Sequence, residues 1–160
     1  MKPKKMIGIC LFFFFLLVHF SGCVWFTYHY EFSQEADNIA SIDICRYTYD
    51  EANPEMTIIC SLDESLKQQF ISDIVALDSY KYFGDFSRIF DGVLVYITYE
   101  NGEGEVLSAN TTAKVDLSGQ WNVGVDNFDK IEFYSVILKY VDPDLVPELE
   151  QYIEPHTNKQ

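Results

Sequence analysis

Basic residues and histidine are scarce in this sequence. Against 25 Asp and Glu stand 11 Lys and Arg, giving a formal net charge of −14 over 160 residues. A chain so acidic repels phosphate backbones, so no nucleic acid is expected among its partners. The histidines are His19, His29 and His156, and the long interior between the last two holds none. No Ser–His or Cys–His pair is therefore expected in the interior, and a zinc site would lack its imidazoles. The alternating Asp/Asn pattern of a calcium-binding EF-hand loop is missing as well. With no nucleophile, metal or acid–base set visible, neither enzyme activity nor a cofactor is expected. What the chain does have is 48% apolar and 16% aromatic residues. That composition folds rather than staying disordered, and the length suits one domain.

The N-terminus points to a compartment. Lys2, Lys4 and Lys5 precede an apolar stretch from Ile7 to Val18, centred on Phe12–Phe15. A charged start followed by such a run is a bacterial-type export signal, and residues 1–22 are set aside from the fold. The stretch closes in Phe20-Ser21-Gly22-Cys23, which resembles the lipobox of bacterial lipoproteins. Ser21, Gly22 and Cys23 match that pattern, whereas Phe20 stands where Leu is usual. The resemblance implies cleavage before Cys23 and acylation of its thiol. An alternative follows from Val24-Trp25-Phe26 and then Tyr28, Tyr30 and Phe32, which are aromatic where lipoprotein tethers are usually polar. Met6 to Phe26 is close to the ~20 residues that span a bilayer, so an uncleaved signal anchor with an aromatic belt is the second reading. Both put residues 33–160 outside the cytoplasmic membrane.

Of the four cysteines, Cys10 lies in the apolar stretch and Cys23 in the lipobox, leaving Cys45 and Cys60 for the domain. Ile42, Ile44, Arg46 and Thr48 alternate with Asp43, Cys45, Tyr47 and Tyr49, the period of a strand, and Met56 to Cys60 supplies its partner. A hairpin centred between Ala52 and Asn53 sets Cys45 opposite Cys60. Two readings stay open there, a disulfide or a pair of buried thiols. Farther on, Val93 to Tyr99 alternates before Asn101-Gly102, predicting a two-residue turn with Ile97 opposite Val106. A three-residue loop, Leu117-Ser118-Gly119, sets Val115 opposite Trp121 with Gly119 left-handed.

Two helices are predicted. Ser61 and Glu64 match a capping box, and Leu62, Leu66, Phe70, Ile74 and Leu77 form an apolar stripe over about residues 62–78. Asp63, Lys67, Gln68 and Asp73 occupy the other face. A second capping box, Asp129 to Glu132, comes with Phe128 and Phe133 as a hydrophobic staple, and this helix ends by Asp142-Pro143. The expected fold is α+β, an antiparallel meander of about five to six strands with two amphipathic helices packed on one face. The expected boundaries are a signal over 1–22, a tether over 23–38, the domain over 39–142 and an acidic tail over 143–160.

Glu100, Glu103 and Glu105 flank the Asn101-Gly102 turn and read as solvated hairpin-tip residues. The aromatics are the better binding candidates, because Tyr and Trp suit interfaces. Tyr47 and Tyr49, on the strand face opposite Ile42 and Ile44, are the expected partner surface.

The run GVLVYITYENGEGEVLSAN, the Gly-Gln-Trp turn and FDKIEFYSVILKY together resemble small exported proteins of Gram-positive bacteria, over about a third of the chain. The resemblance implies a fold type and a compartment, with no activity and no site residue. The expectation is a membrane-anchored, extracytoplasmic interaction domain whose ligand is a protein or a glycan. The alternatives are a carboxylate-dependent cell-envelope hydrolase and a structural subunit of a membrane complex.

Overall fold

The computed structural model describes residues 27–49, 54–81, 92–124 and 126–152. The expected export signal, Cys23 and the expected turn over 50–53 lie outside the described residues. The chain is α+β, and its described residues form one six-stranded and one three-stranded antiparallel sheet. In chain order the elements are β1 (Thr27–His29), β2 (Ile39–Thr48), β3 (Glu55–Ser61), α1 (Glu64–Val75), β4 (Asp78–Lys81) and β5 (Gly92–Tyr99). There follow β6 (Gly104–Leu107), β7 (Thr112–Val115), β8 (Trp121–Val123), β9 (Asp126–Phe128) and α2 (Lys130–Ile137). The large sheet runs β3-β2-β5-β6-β7-β8 and the small one β1-β4-β9.

Strand alternation sorts the large sheet into two faces. Ile42, Ile44, Val93, Val95 and Ile97 share a buried cluster with Phe70, Ile71 and Ile74 of α1 and Phe133 and Ile137 of α2. Cys45, Leu94, Val106, Ala113 and Val115 make a second, smaller cluster, with Tyr47, Tyr96 and Trp121 packed against it. Tyr47 of β2 and Trp121 of β8 stand four strands apart in the order, yet their ring centroids are 5.3 Å apart. The sheet therefore curls, and the smaller cluster lies in its concavity.

α1 is capped by Asp63, whose carboxylate accepts from the N–H groups of Ser65 and Leu66. Ser61, the expected cap, instead belongs to β3, paired with Asp43. The apolar stripe is also rotated from the expected one. Leu66 is 38% exposed, while Lys67 is buried with Phe70, Ile71 and Ile74. The burial of Lys67 is satisfied because its Nζ donates to the Ile39 carbonyl at 2.8 Å and meets Glu64 at 2.7 Å. α2 starts as its sequence predicts, with Asp129 accepting from Ile131 and Glu132 and with Phe128 stacked on Phe133 at 5.1 Å.

The packed unit is longer than residues 39–142 at both ends. Tyr30 is in the core, edge-on to Phe128 and Phe32, although it sits within the stretch expected to be a tether. Val146 and Leu149, within the expected acidic tail, are buried there too. Two or three apolar side chains in a polar stretch suffice when short 3₁₀ turns aim them inward, as at Pro143–Leu145 and Pro147–Tyr152.

Candidate functional site

Two surface features stand out, one expected from the sequence and one not. The expected one is built on β2 and β3. Cys45 pairs with Ile58 and Tyr47 with Met56, so Met56 and Ile58 share the concave-side face with Tyr47. They lie at its rim, because β3 is the end strand of the sheet. Ile58 is 57% exposed, Met56 42%, and Tyr49, the residue after β2, 52%. Tyr47 is partly buried and stacks toward Trp121. Burial, and secondarily the neighbouring Tyr49, pushes its phenol above the usual range. The structure thus gathers Tyr47 and Tyr49 with two exposed apolar side chains of β3, Met56 and Ile58, that sequence patterning assigned only to a strand.

Cys45 and Cys60 are not brought together. A bulge between Ile44 and Cys45 sets Cys60 against Ile44 and Cys45 against Ile58, and both thiols are free. Cys60 consequently packs with the helix-side cluster and Cys45 with the concave one. The register already differs from the expected one on the turn side of the bulge, where Thr48 pairs with Glu55 and Cys45 with Ile58; the bulge then turns Cys60 to the other face. Burial, with the Asp43 charge second, pushes the Cys45 thiol up to about 12, so it is a packing residue rather than a nucleophile.

The unexpected feature is Glu105. Between β5 and β6, Tyr99 and Glu103 enclose a three-residue loop, Glu100-Asn101-Gly102, closed by Gly102 N–H to Tyr99 O at 2.9 Å and Tyr99 N–H to Glu103 O at 2.9 Å. Gly102 takes φ +87°, the left-handed conformation that closes such a loop. Ile97 therefore faces Glu105 rather than Val106, and Glu105 points to the helix side at 3% exposure. It is a buried acceptor, not a solvated tip residue. The Tyr30 hydroxyl donates to Oε1. Oε2 accepts from the Tyr99 hydroxyl at 2.5 Å, the Ser33 N–H at 3.1 Å and the Ser33 hydroxyl at 3.3 Å. Burial first, then Glu105, raises both phenols well above the tyrosine range.

Beside this cluster lies a polar groove of about 510 Å³, lined by Glu31, Glu105, Thr112, Lys114, Asn122 and Asp126 among others. Glu105, Lys114 and Asn122 are register partners across β6, β7 and β8, which explains their shared row. Burial raises the Asp126 carboxyl above its ordinary range, and the Tyr28 hydroxyl donates to it. Among the described residues, no three His, Cys, Asp or Glu side chains are grouped to hold a metal, and no helix is long and apolar enough to cross a membrane. Comparison with family models, curated proteins and solved structures finds no match to this chain.

Proposed function

We propose that this chain is an extracytoplasmic binding domain held at the membrane, by lipid on Cys23 or by residues 6–26 kept as an anchor. Its partner surface is the rim formed by Tyr47, Tyr49, Met56 and Ile58. The supporting observation is that Tyr49, Met56 and Ile58, all large and apolar, are 42–57% exposed at one edge of the sheet. Apolar side chains so grouped mark interaction sites more often than isolated ones do. The test is a photo-crosslinking residue placed at Tyr49 or Ile58 in intact cells, with Leu117, 73% exposed elsewhere, as control. A discrete adduct from the first two and none from Leu117 is expected. Equal labelling from all three, or none, defeats the reading.

A second reading, a cell-envelope hydrolase, draws on the groove in which Glu105 and Asp126 both stand. Glu105 already accepts four hydrogen bonds, so Asp126, with its raised carboxyl, is the side chain suited to carry a proton. Release of soluble fragments from cell-wall polymer, abolished by Asp126→Asn, is its signature; no release by the wild-type chain rejects it.

A further inference from the structure

We infer that the partner is an extended peptide segment that adds to β3 as a further strand, with apolar side chains at alternate positions and basic residues at its ends. This rests on the binding reading above and names the partner's form. β3 is seven residues long and ends the six-stranded sheet, so among the described residues no strand lies beyond it. An edge strand presents alternate N–H and C=O groups outward, and folded proteins usually blunt such an edge with lysine, proline or a covering element. β3, Glu-Met-Thr-Ile-Ile-Cys-Ser, contains neither lysine nor proline. Its bulge lies toward the far end, leaving Glu55–Ile58 in regular pairing with Cys45–Thr48.

Side chains give the added strand its specificity. Met56 and Ile58 are two residues apart on one face, the spacing at which an incoming strand presents its own alternate side chains. Charge selects among occupants. Glu55 stands at one end of β3, and Asp43 and Asp63 stand at the other, Glu64 beside them being paired with Lys67. Arg46, the basic residue of β2, is already engaged by Glu148 at 2.7 Å and by the Leu145 carbonyl at 2.9 Å. The edge is thus apolar in the middle and acidic at both ends. A second copy would bring the same charges, within a net −14, against them. An anionic bilayer would be repelled likewise. A basic-ended strand is attracted.

The test selects random seven-residue peptides, displayed on phage, against the full chain in detergent micelles. Peptides with alternating apolar residues and Lys or Arg at the ends are expected. A selected peptide, made synthetically, should bind about tenfold more weakly when its alternate amides are N-methylated, and likewise to the Ile58→Asp chain. Unchanged affinity after methylation overturns strand addition. So does a selection without that pattern, a dimer of the full chain lost in Ile58→Asp, or binding to phosphatidylglycerol vesicles lost in Ile58→Asp. Ile58→Asp lies at an exposed position, and its thermal unfolding checks that the variant is folded. A crosslinked adduct at Ile58 in cells without peptide selection would sink the strand and leave the binding surface standing. Absence of both would sink the two together.

Discussion

Tyr30 donates its hydroxyl to Glu105 across 75 residues of sequence, tying the segment after β1 to the middle of the large sheet. Tyr99 and Ser33 complete the ring of donors around the same carboxylate. A buried carboxylate is stable only with such partners, and each donor is correspondingly costly to remove. The N-terminal segment is therefore fixed to the domain from Tyr30 onward.

Tyr30→Phe should destabilise the full chain by about 1–3 kcal/mol, because it leaves one oxygen of Glu105 buried without its donor. Urea denaturation in detergent checks this. A loss indistinguishable from zero would show that the contact carries no weight.

Asp126 predicts a pH dependence. Its folded carboxyl lies above the ordinary aspartate value of 3.8, so the folded state holds the proton more tightly than the unfolded one. The contribution to stability is then fully present below 3.8 and lost as pH rises through the folded value. Asp126→Asn removes that loss while keeping an oxygen for the Tyr28 hydroxyl. The variant should gain stability relative to wild type at pH 7, and the gain should vanish below pH 3.8. Thermal melts at both pH values decide it; a variant less stable than wild type at pH 7 refutes the assignment.

Lys67→Met should cost about 1–3 kcal/mol, since it strips the Ile39 carbonyl of its buried donor. Leu66→Ala, on the exposed side, should cost well under that, within about 0.5 kcal/mol. The reverse order in denaturation midpoints would restore the apolar stripe expected from the sequence.

Cys45 and Cys60 should remain separate thiols. Peptide-resolved maleimide labelling of the native chain should modify Cys60 first and reach Cys45 only on unfolding, given its burial and a thiol pushed up to about 12. Reductant should leave the melting temperature unchanged. A bridged peptide containing both residues would contradict the register across the bulge.

Gly102→Val should destabilise the domain by about 1–2 kcal/mol, because a β-branched side chain resists φ +87°. A Cβ there also meets Leu117 Cδ2 at 3.3 Å on the neighbouring hairpin tip. Gly119, at φ +81°, has open space around it, so Gly119→Asn should cost less. Equal melting temperatures for the two variants would show that the tips do not touch.

Much of the fold was legible where local chemistry alone decides it. Asp129 capping α2, the Phe128–Phe133 staple and the Val115–Trp121 pair follow from spacing within a few residues. Register was less legible. The Asn101-Gly102 signal locates a turn but does not count its residues, and one more residue in that loop carries Glu105 from the solvent side to the core. The β2–β3 turn misleads in the same way, setting Cys45 opposite Ile58, and the bulge beyond it turns Cys60 to the other face. Tertiary partners explain the remaining differences. Lys67 is buried because the Ile39 carbonyl waits for it, and Glu105 because Tyr30 and Tyr99 do. For the proposed binding surface, Tyr47 and Tyr49 were visible from their strand phase, whereas Met56 and Ile58 became candidates only once β3 proved to be the end of the sheet.

The proposed anchoring is tested most directly by intact mass and labelled-lipid incorporation in host membranes, comparing wild type with Cys23→Ala. Membrane-bound protein is expected, either beginning at Cys23 and lipidated there, with both features lost in the variant, or full-length and unchanged by the substitution. A full-length, unlipidated chain recovered from the cytosol would contradict it.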